Sequence, residues 1–185
     1  MRPRALSIAV VGAALAACGD PNALPPPGLS NVVDTVVIYA VTGTEVWQPS
    51  GYSMTERRAV RLDRTNQADF AFDFRDGVPL LLPGSLVGHP GSSGLHPGLQ
   101  HLARPFDSVK VAEVNGYVSL DTLHAAVGDV FFARSRIPPN CFFGLPTYAK
   151  LEVLEIDPVN RTFRFRTLVN RNCGYKGLEP GLPTQ

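Results

Sequence analysis

The chain has 185 residues and a formal charge of +1 from 17 basic and 16 acidic side chains, which leaves no overall field to hold a nucleic acid. Once an N-terminal leader is subtracted, this length suits one domain, which buries roughly 70% of its unfolded surface and needs no metal or cofactor to do so. Gly and Pro, 17 of each, punctuate strands and work against long helices, so the composition leans towards β structure.

Met1-Arg2-Pro3-Arg4 gives a positive start, and Ala5 to Leu15 is apolar and uncharged, the build of a secretory signal peptide. The uncharged stretch ends at Cys18, short of the ~20 residues that a spanning helix takes. Leu15-Ala16-Ala17-Cys18 resembles the lipobox of bacterial type II signal peptides. The resemblance implies cleavage after residue 17, diacylglycerol on the Cys18 thiol, acylation of the freed amine and attachment to a membrane. Two or more acyl chains make such an anchor stable. By the sorting rule of that family, Gly19 in place of an aspartate implies the outer membrane, facing the periplasm or the cell surface. An ordinary secretory leader that leaves Cys18 as a free thiol is the alternative. Parity favours lipidation, because it leaves an even pair, Cys141 and Cys173.

Residues 18–31 form a Pro-rich tether, in which Pro25-Pro26-Pro27 favours extended polyproline geometry and a stiff spacer. The extracytoplasmic domain is expected over 32–185. Val32 to Thr42 reads as a buried strand ended by Gly43. Val46-Trp47 is a short strand piece, Pro49 to Ser53 a loop, and Ala59 to Asp63 a weak strand. Phe70, Phe72 and Phe74 alternate with small or charged residues, and Asp76-Gly77 then turns the chain into Val78 to Leu82. Pro79 donates no ladder hydrogen bond, so that return strand lies at an edge or begins after it.

Gly84 to Pro105 has no periodicity and is long for a structureless loop, which marks it for function or disorder. Ser108–Val114, Gly116–Leu120 and Asp129–Ser135 read as strands, and Thr122–Ala126 as one helical turn. Tyr148–Ile156 and Thr162–Val169 form an antiparallel hairpin. With Ile156 facing Thr162, Val153 lies opposite Phe165 and Glu152 opposite Arg166. The open ends of this hairpin bring Cys141 near Cys173, and a disulfide closing about 33 residues stabilises by roughly 3–4 kcal/mol. A metal site or two free thiols is the competing reading. The many short strands point to an all-β, antiparallel sandwich, with a partly closed barrel as the alternative.

Of the residue types that carry chemistry, His89, His96 and His101 share the long loop and, with Asp76 or Asp107, are weak candidates for a zinc or copper shell. Their spacings match no established ligand motif, and plain loop histidines are the favoured reading. Gly91-Ser92-Ser93-Gly94 is not the Gly-x-Ser-x-Gly of a nucleophile elbow, so no catalytic residue is assigned. Asp69, Asp73 and Asp76 read as solvated strand-face carboxylates. Arg161, Arg164, Arg166, Arg171 and Lys176 read as a solvated basic face with phenylalanines turned inward. The functional expectation is an envelope lipoprotein, held to the membrane through Cys18, that binds a partner protein or contributes structure. A metal-binding or hydrolytic lipoprotein using 84–105, or a carrier of a small apolar ligand, is the alternative.

Overall fold

The computed structural model describes residues 23–91 and 94–183; the expected leader, the expected lipobox with Cys18, and Ser92 and Ser93 lie outside them. Among the described residues there are ten strands, β1 (Val33–Tyr39), β2 (Gly51–Ser53), β3 (Arg58–Val60), β4 (Phe70–Arg75), β5 (Val78–Pro83), β6 (Gly98–Leu102), β7 (Leu123–His124), β8 (Val130–Arg134), β9 (Tyr148–Asp157) and β10 (Thr162–Asn170). They form two five-stranded antiparallel sheets, ordered β1-β10-β9-β8-β6 and β3-β2-β4-β5-β7. The fold is an all-β sandwich, and the two sheets do not close into a barrel. A backbone bridge links them at one corner, where Ala40 pairs with Phe72.

Alternation builds the space between the sheets. Phe163 and Phe165 of β10, Phe70 and Phe72 of β4, Leu151 and Val153 of β9 and Phe131 of β8 all turn inward and are essentially inaccessible. Phe72 stacks on Phe163 at 4.8 Å, and Tyr52 meets Phe165 edge-on at 5.3 Å, so interleaved rings fill the interior.

The first sheet is covered on its outer face as well. Leu102, Phe106, Val109, Val130, Phe132, Tyr148, Leu168 and Leu178 make a second core under a layer of irregular chain. That layer is held to itself by backbone bonds from Ala112 N–H to the Lys176 carbonyl (2.9 Å) and from Leu178 N–H to the Lys110 carbonyl (2.7 Å). With apolar cover on both faces, β9 starts with four consecutive buried residues instead of an alternation.

Both hairpins form. Asp76 and Gly77 have φ of 51° and 80°, the positive values a two-residue type I′ turn requires, and Arg75 pairs with Val78. Pairing of β5 with β7 begins at Leu80, one residue past Pro79. In the β9–β10 hairpin, Val153 opposes Phe165 and Glu152 opposes Arg166 as expected, but Ile156 faces Phe163 and not Thr162. A bulge in β9, between the Glu155 and Val153 pairs, takes up the extra residue.

Other expectations are corrected. The Val32–Thr42 run is an edge strand, with Val33 and Val37 exposed, because the covering layer stops short of it. Val46-Trp47 is an exposed turn, Gly51–Ser53 is a strand and not loop, and the Ala59–Asp63 strand ends at Val60. Gly51 fits because any Cβ there would lie 2.8 Å from Leu62 and 2.9 Å from Ala68. The Gly84–Pro105 segment is not structureless: a 3-10 turn spans Gly84–Val87, and β6 lies on the sheet edge. Ser108–Val114 and Gly116–Leu120 make isolated bridges at Val111 and Val118 only, while Thr122–Ala126 contains β7 in place of a helical turn.

The expected tether is shorter than its composition suggests. Tyr175 Oη donates to the Pro25 carbonyl at 2.9 Å, and Asn172 Oδ1 accepts from the Gly28 and Leu29 N–H groups at 3.0 and 3.1 Å. Asn31 is buried and bridges Gly181. Residues from Pro25 onward therefore belong to the folded unit, which moves its start upstream of residue 32. At the same end of the sandwich Cys141 and Cys173 stand as a disulfide pair, with Cα atoms 5.8 Å apart, inside the range that a disulfide spans.

Candidate functional site

Three segments far apart in sequence meet at the cysteine end of the sandwich. Asp69 precedes β4, His89 follows the 3-10 turn and Arg136 follows β8. The Asp69 carboxylate is fully enclosed and accepts from Met54 N–H (2.7 Å), Arg136 N–H (3.1 Å) and Arg136 Nη1 (3.3 Å). Burial nevertheless pushes its pKa up to about 6, against the pull of the Arg136 guanidinium and the backbone donors. Arg136 is also buried, and its Nη2 donates to Gln67 Oε1 at 3.3 Å.

His89 Nδ1 accepts from Ala68 N–H at 3.2 Å. Burial, helped by the neighbouring Arg136 charge, holds the imidazole below its ordinary pKa, so it is neutral at pH 7. A neutral ring committed to backbone on this pattern is a wall, not a proton carrier.

Over these groups opens a cleft of 350 Å³, lined by Asn66, Gln67, His89, Arg136, Ile137 and Pro139 together with the backbone of 88–91. Its size is at the lower end for small-molecule sites. Gly91 lets the loop close over the arginine: its φ is +79°, and a Cβ there would lie 2.9 Å from the Arg136 Cβ. The guanidinium has five N–H donors, of which, among the described residues, the Nη1 and Nη2 bonds to Asp69 and Gln67 use two. The remaining donors and the Asn66 and Gln67 amides suit a ligand with carboxylate or carbonyl oxygens. Among the described residues, the lining holds no hydroxyl, thiol or carboxylate side chain.

The three loop histidines go to different neighbours. His96 Nδ1 lies 2.8 Å from the Pro90 carbonyl, while His101, on β6, pairs with Asp129 at 3.3 Å and meets Phe131 edge-on. Asp107 pairs with Arg166, and Asp76 sits in the hairpin turn. Among the described residues no group of three or more His, Cys, Asp or Glu side chains is placed to hold a metal ion.

The acidic and basic sets also change meaning. Asp69 is not a solvated strand-face carboxylate, and Asp73 is tied to Thr42 and Arg161. Arg161, Arg164 and Arg166 are paired with Asp73, Glu155 and Glu152 respectively, so much of the basic strip is neutralised. Sequence reasoning missed Lys150, which is buried under the outer layer. Its Nζ donates to the Phe106 (2.9 Å) and Val109 (2.7 Å) carbonyls and lies 4.4 Å from the Phe106 ring centre. Arg136 was missed too, because its partner Asp69 is 67 positions away and no local pattern links them. No protein-family model, curated protein or solved structure matches the chain.

Proposed function

We propose that the protein is a lipid-anchored, extracytoplasmic binding module, attached through Cys18 to the outer membrane, whose ligand site is the cleft over Arg136. The observation that carries the reading is a buried guanidinium that lines a 350 Å³ cleft and, among the described residues, commits two of its donors to Asp69 and Gln67. A buried arginine is expensive to hold in a fold, and the fold meets that cost with Asp69. The ligand class is a small acid or a peptide-like carbonyl compound, on its own or as part of an envelope protein. The export segment, the lipobox and a disulfide-competent cysteine pair are consistent with one compartment.

The test has two arms. Intact mass and membrane fractionation of the natural chain and Cys18→Ala read the anchor; the natural chain carries acyl mass and the variant is released. Titration with succinate and N-acetylglycine, followed by amide NMR, reads the cleft. Shifts cluster at 66–67, 88–91 and 136–137, and Asn66→Trp, which fills the opening from an exposed position, abolishes them. Shifts scattered over the surface, or unchanged in Asn66→Trp, overturn the cleft as the site.

A further inference from the structure

We propose that the turn carrying Phe142 and Phe143 is a membrane-docking tip, inserted into the interfacial layer of the bilayer that holds the lipid anchor. The inference rests on the anchor reading above and adds a second, non-covalent contact with the same membrane.

Tight turns ordinarily carry Gly, Pro, Asn, Asp or Ser at their centres. Here Gly144 N–H donates to the Cys141 carbonyl at 3.1 Å, which closes a four-residue turn whose two central residues are phenylalanines. Phe142 is 99% exposed and Phe143 49%, in a molecule whose other aromatic clusters are buried. The turn is held from both sides: before it, Cys141 N–H donates to the Pro138 carbonyl and Cys141 stands against Cys173, and after it the Pro146 carbonyl accepts from Gly174 N–H at 3.0 Å. Two large apolar rings are thus presented on a fixed mount.

Their surroundings are mostly apolar as well, with Asn140 and Asn172 as the polar members of the groove. Pro25, Pro26, Phe142 and Phe143 line one shallow groove with Cys173 and Tyr175, and Leu24 and Leu145 converge beside Gly174. The prolines belong to the segment that leads back to Cys18. Cys18 and Pro25 are seven positions apart, so even a fully extended link spans no more than about 25 Å. A domain docked from Pro25 onward cannot move far from its anchor, and the apolar tip lies beside the point where the link enters. A second copy of the chain has no such tie to this face, which favours lipid as the occupant. Since residues 136–143 carry both the cleft and the tip, docking sets the cleft close to the headgroup layer.

The opposite end supplies an internal control. Tyr39, at the far end of β1, bonds to the Pro49 carbonyl, so Trp47 lies a strand length, roughly 20 Å, from the Val33 end. Trp47 is the single tryptophan of the chain and is exposed.

The experiment uses the mature lipidated protein in phosphatidylethanolamine–phosphatidylglycerol vesicles containing lipids brominated near the top of the acyl chain. It compares Trp47 of the natural chain with Trp47→Phe/Phe142→Trp. Both substituted positions are exposed, and circular dichroism confirms the fold of the double variant. The expected result is a blue shift and at least twofold bromine quenching for the indole at 142, with less than 1.2-fold quenching of Trp47. Intact mass is read on the same samples. Protein without acyl mass overturns the anchor and this inference with it, whereas acylated protein with an unquenched indole at 142 overturns this inference alone. Quenching at both positions, or a blue shift without quenching, as burial against a second copy gives, overturns it too.

Discussion

Asp69→Asn isolates the titration of the buried carboxyl. The group has a pKa of about 6 in the folded chain against an ordinary 3.8, a difference of about two units, or roughly 3 kcal/mol. The folded state therefore holds this proton more tightly than the unfolded state does. Its contribution is fully present below pH ~4 and is lost as pH rises through ~6. Asn cannot titrate, so the variant lacks that slope, whatever its offset from the natural protein. His89 acts in the opposite direction, since its depressed pKa favours folding above its ordinary value and that contribution is lost on acidification. Both proteins share His89, so its effect cancels in the difference. Urea unfolding of the oxidised proteins at pH 4, 5, 6 and 7, followed by circular dichroism, measures it. With an m-value near 2 kcal/mol/M, the midpoint difference changes by roughly 1.5 M across the series. Natural protein and variant that run parallel within 0.5 kcal/mol from pH 4 to 7 would refute the claim that burial dominates at Asp69.

Phe165→Ala empties the centre of the ring cluster between the sheets and lowers stability by about 3–5 kcal/mol in the same unfolding assay; a loss under 1 kcal/mol would mean that the interior is not packed as described. Cys141→Ser costs roughly 3 kcal/mol and, in the natural protein, alkylation before reduction leaves Cys141 and Cys173 unmodified; two reactive thiols without reductant would contradict the pairing. Lys150→Met removes the donor to two buried carbonyls, and hydrogen exchange accelerates at 106–112 by tenfold or more while the inner strands keep their protection. Uniform acceleration throughout the chain would show that the outer layer is not a separate cooperative unit.

What could be read from the sequence was local. Asp76-Gly77 announces its hairpin because a type I′ turn needs positive φ at two adjacent residues, and the Phe163–Arg166 alternation announces a face. The Val153–Phe165 and Glu152–Arg166 pairs followed from matching apolar and charged positions, and proximity of the cysteines followed from the hairpin. The β9 bulge was hidden because nothing in the turn composition encodes an extra residue. Strand β6 was hidden because its two leucines, Leu99 and Leu102, face different cores, so no period of two appears. It is a strand through pairing with β8, an effect of tertiary context and not of propensity. The outer layer was misread as strands for the same reason, since its apolar residues follow the second core and not a pleat. The cleft was the least legible of all. It needs Asp69, His89 and Arg136 together, and only the loop around His89 stood out, by its length and glycine content.

The clasp between Asn31 and Gly181 bears on how the molecule carries mechanical load. Asn31 exchanges both backbone bonds with Gly181, and its amide holds the Gly177 and Glu179 carbonyls. A pull on the link from Cys18 meets this clasp and the Asn172 contacts before it reaches β1, an edge strand that would otherwise peel from β10 one bond pair at a time. On the proposed anchoring, force arriving from the membrane side is thereby shared with the C-terminal segment, and through it with the outer layer on the first sheet. The clasp works as a strain relief, like the collar where a cable enters its housing, so a domain anchored as proposed can be tugged without unravelling from its first strand.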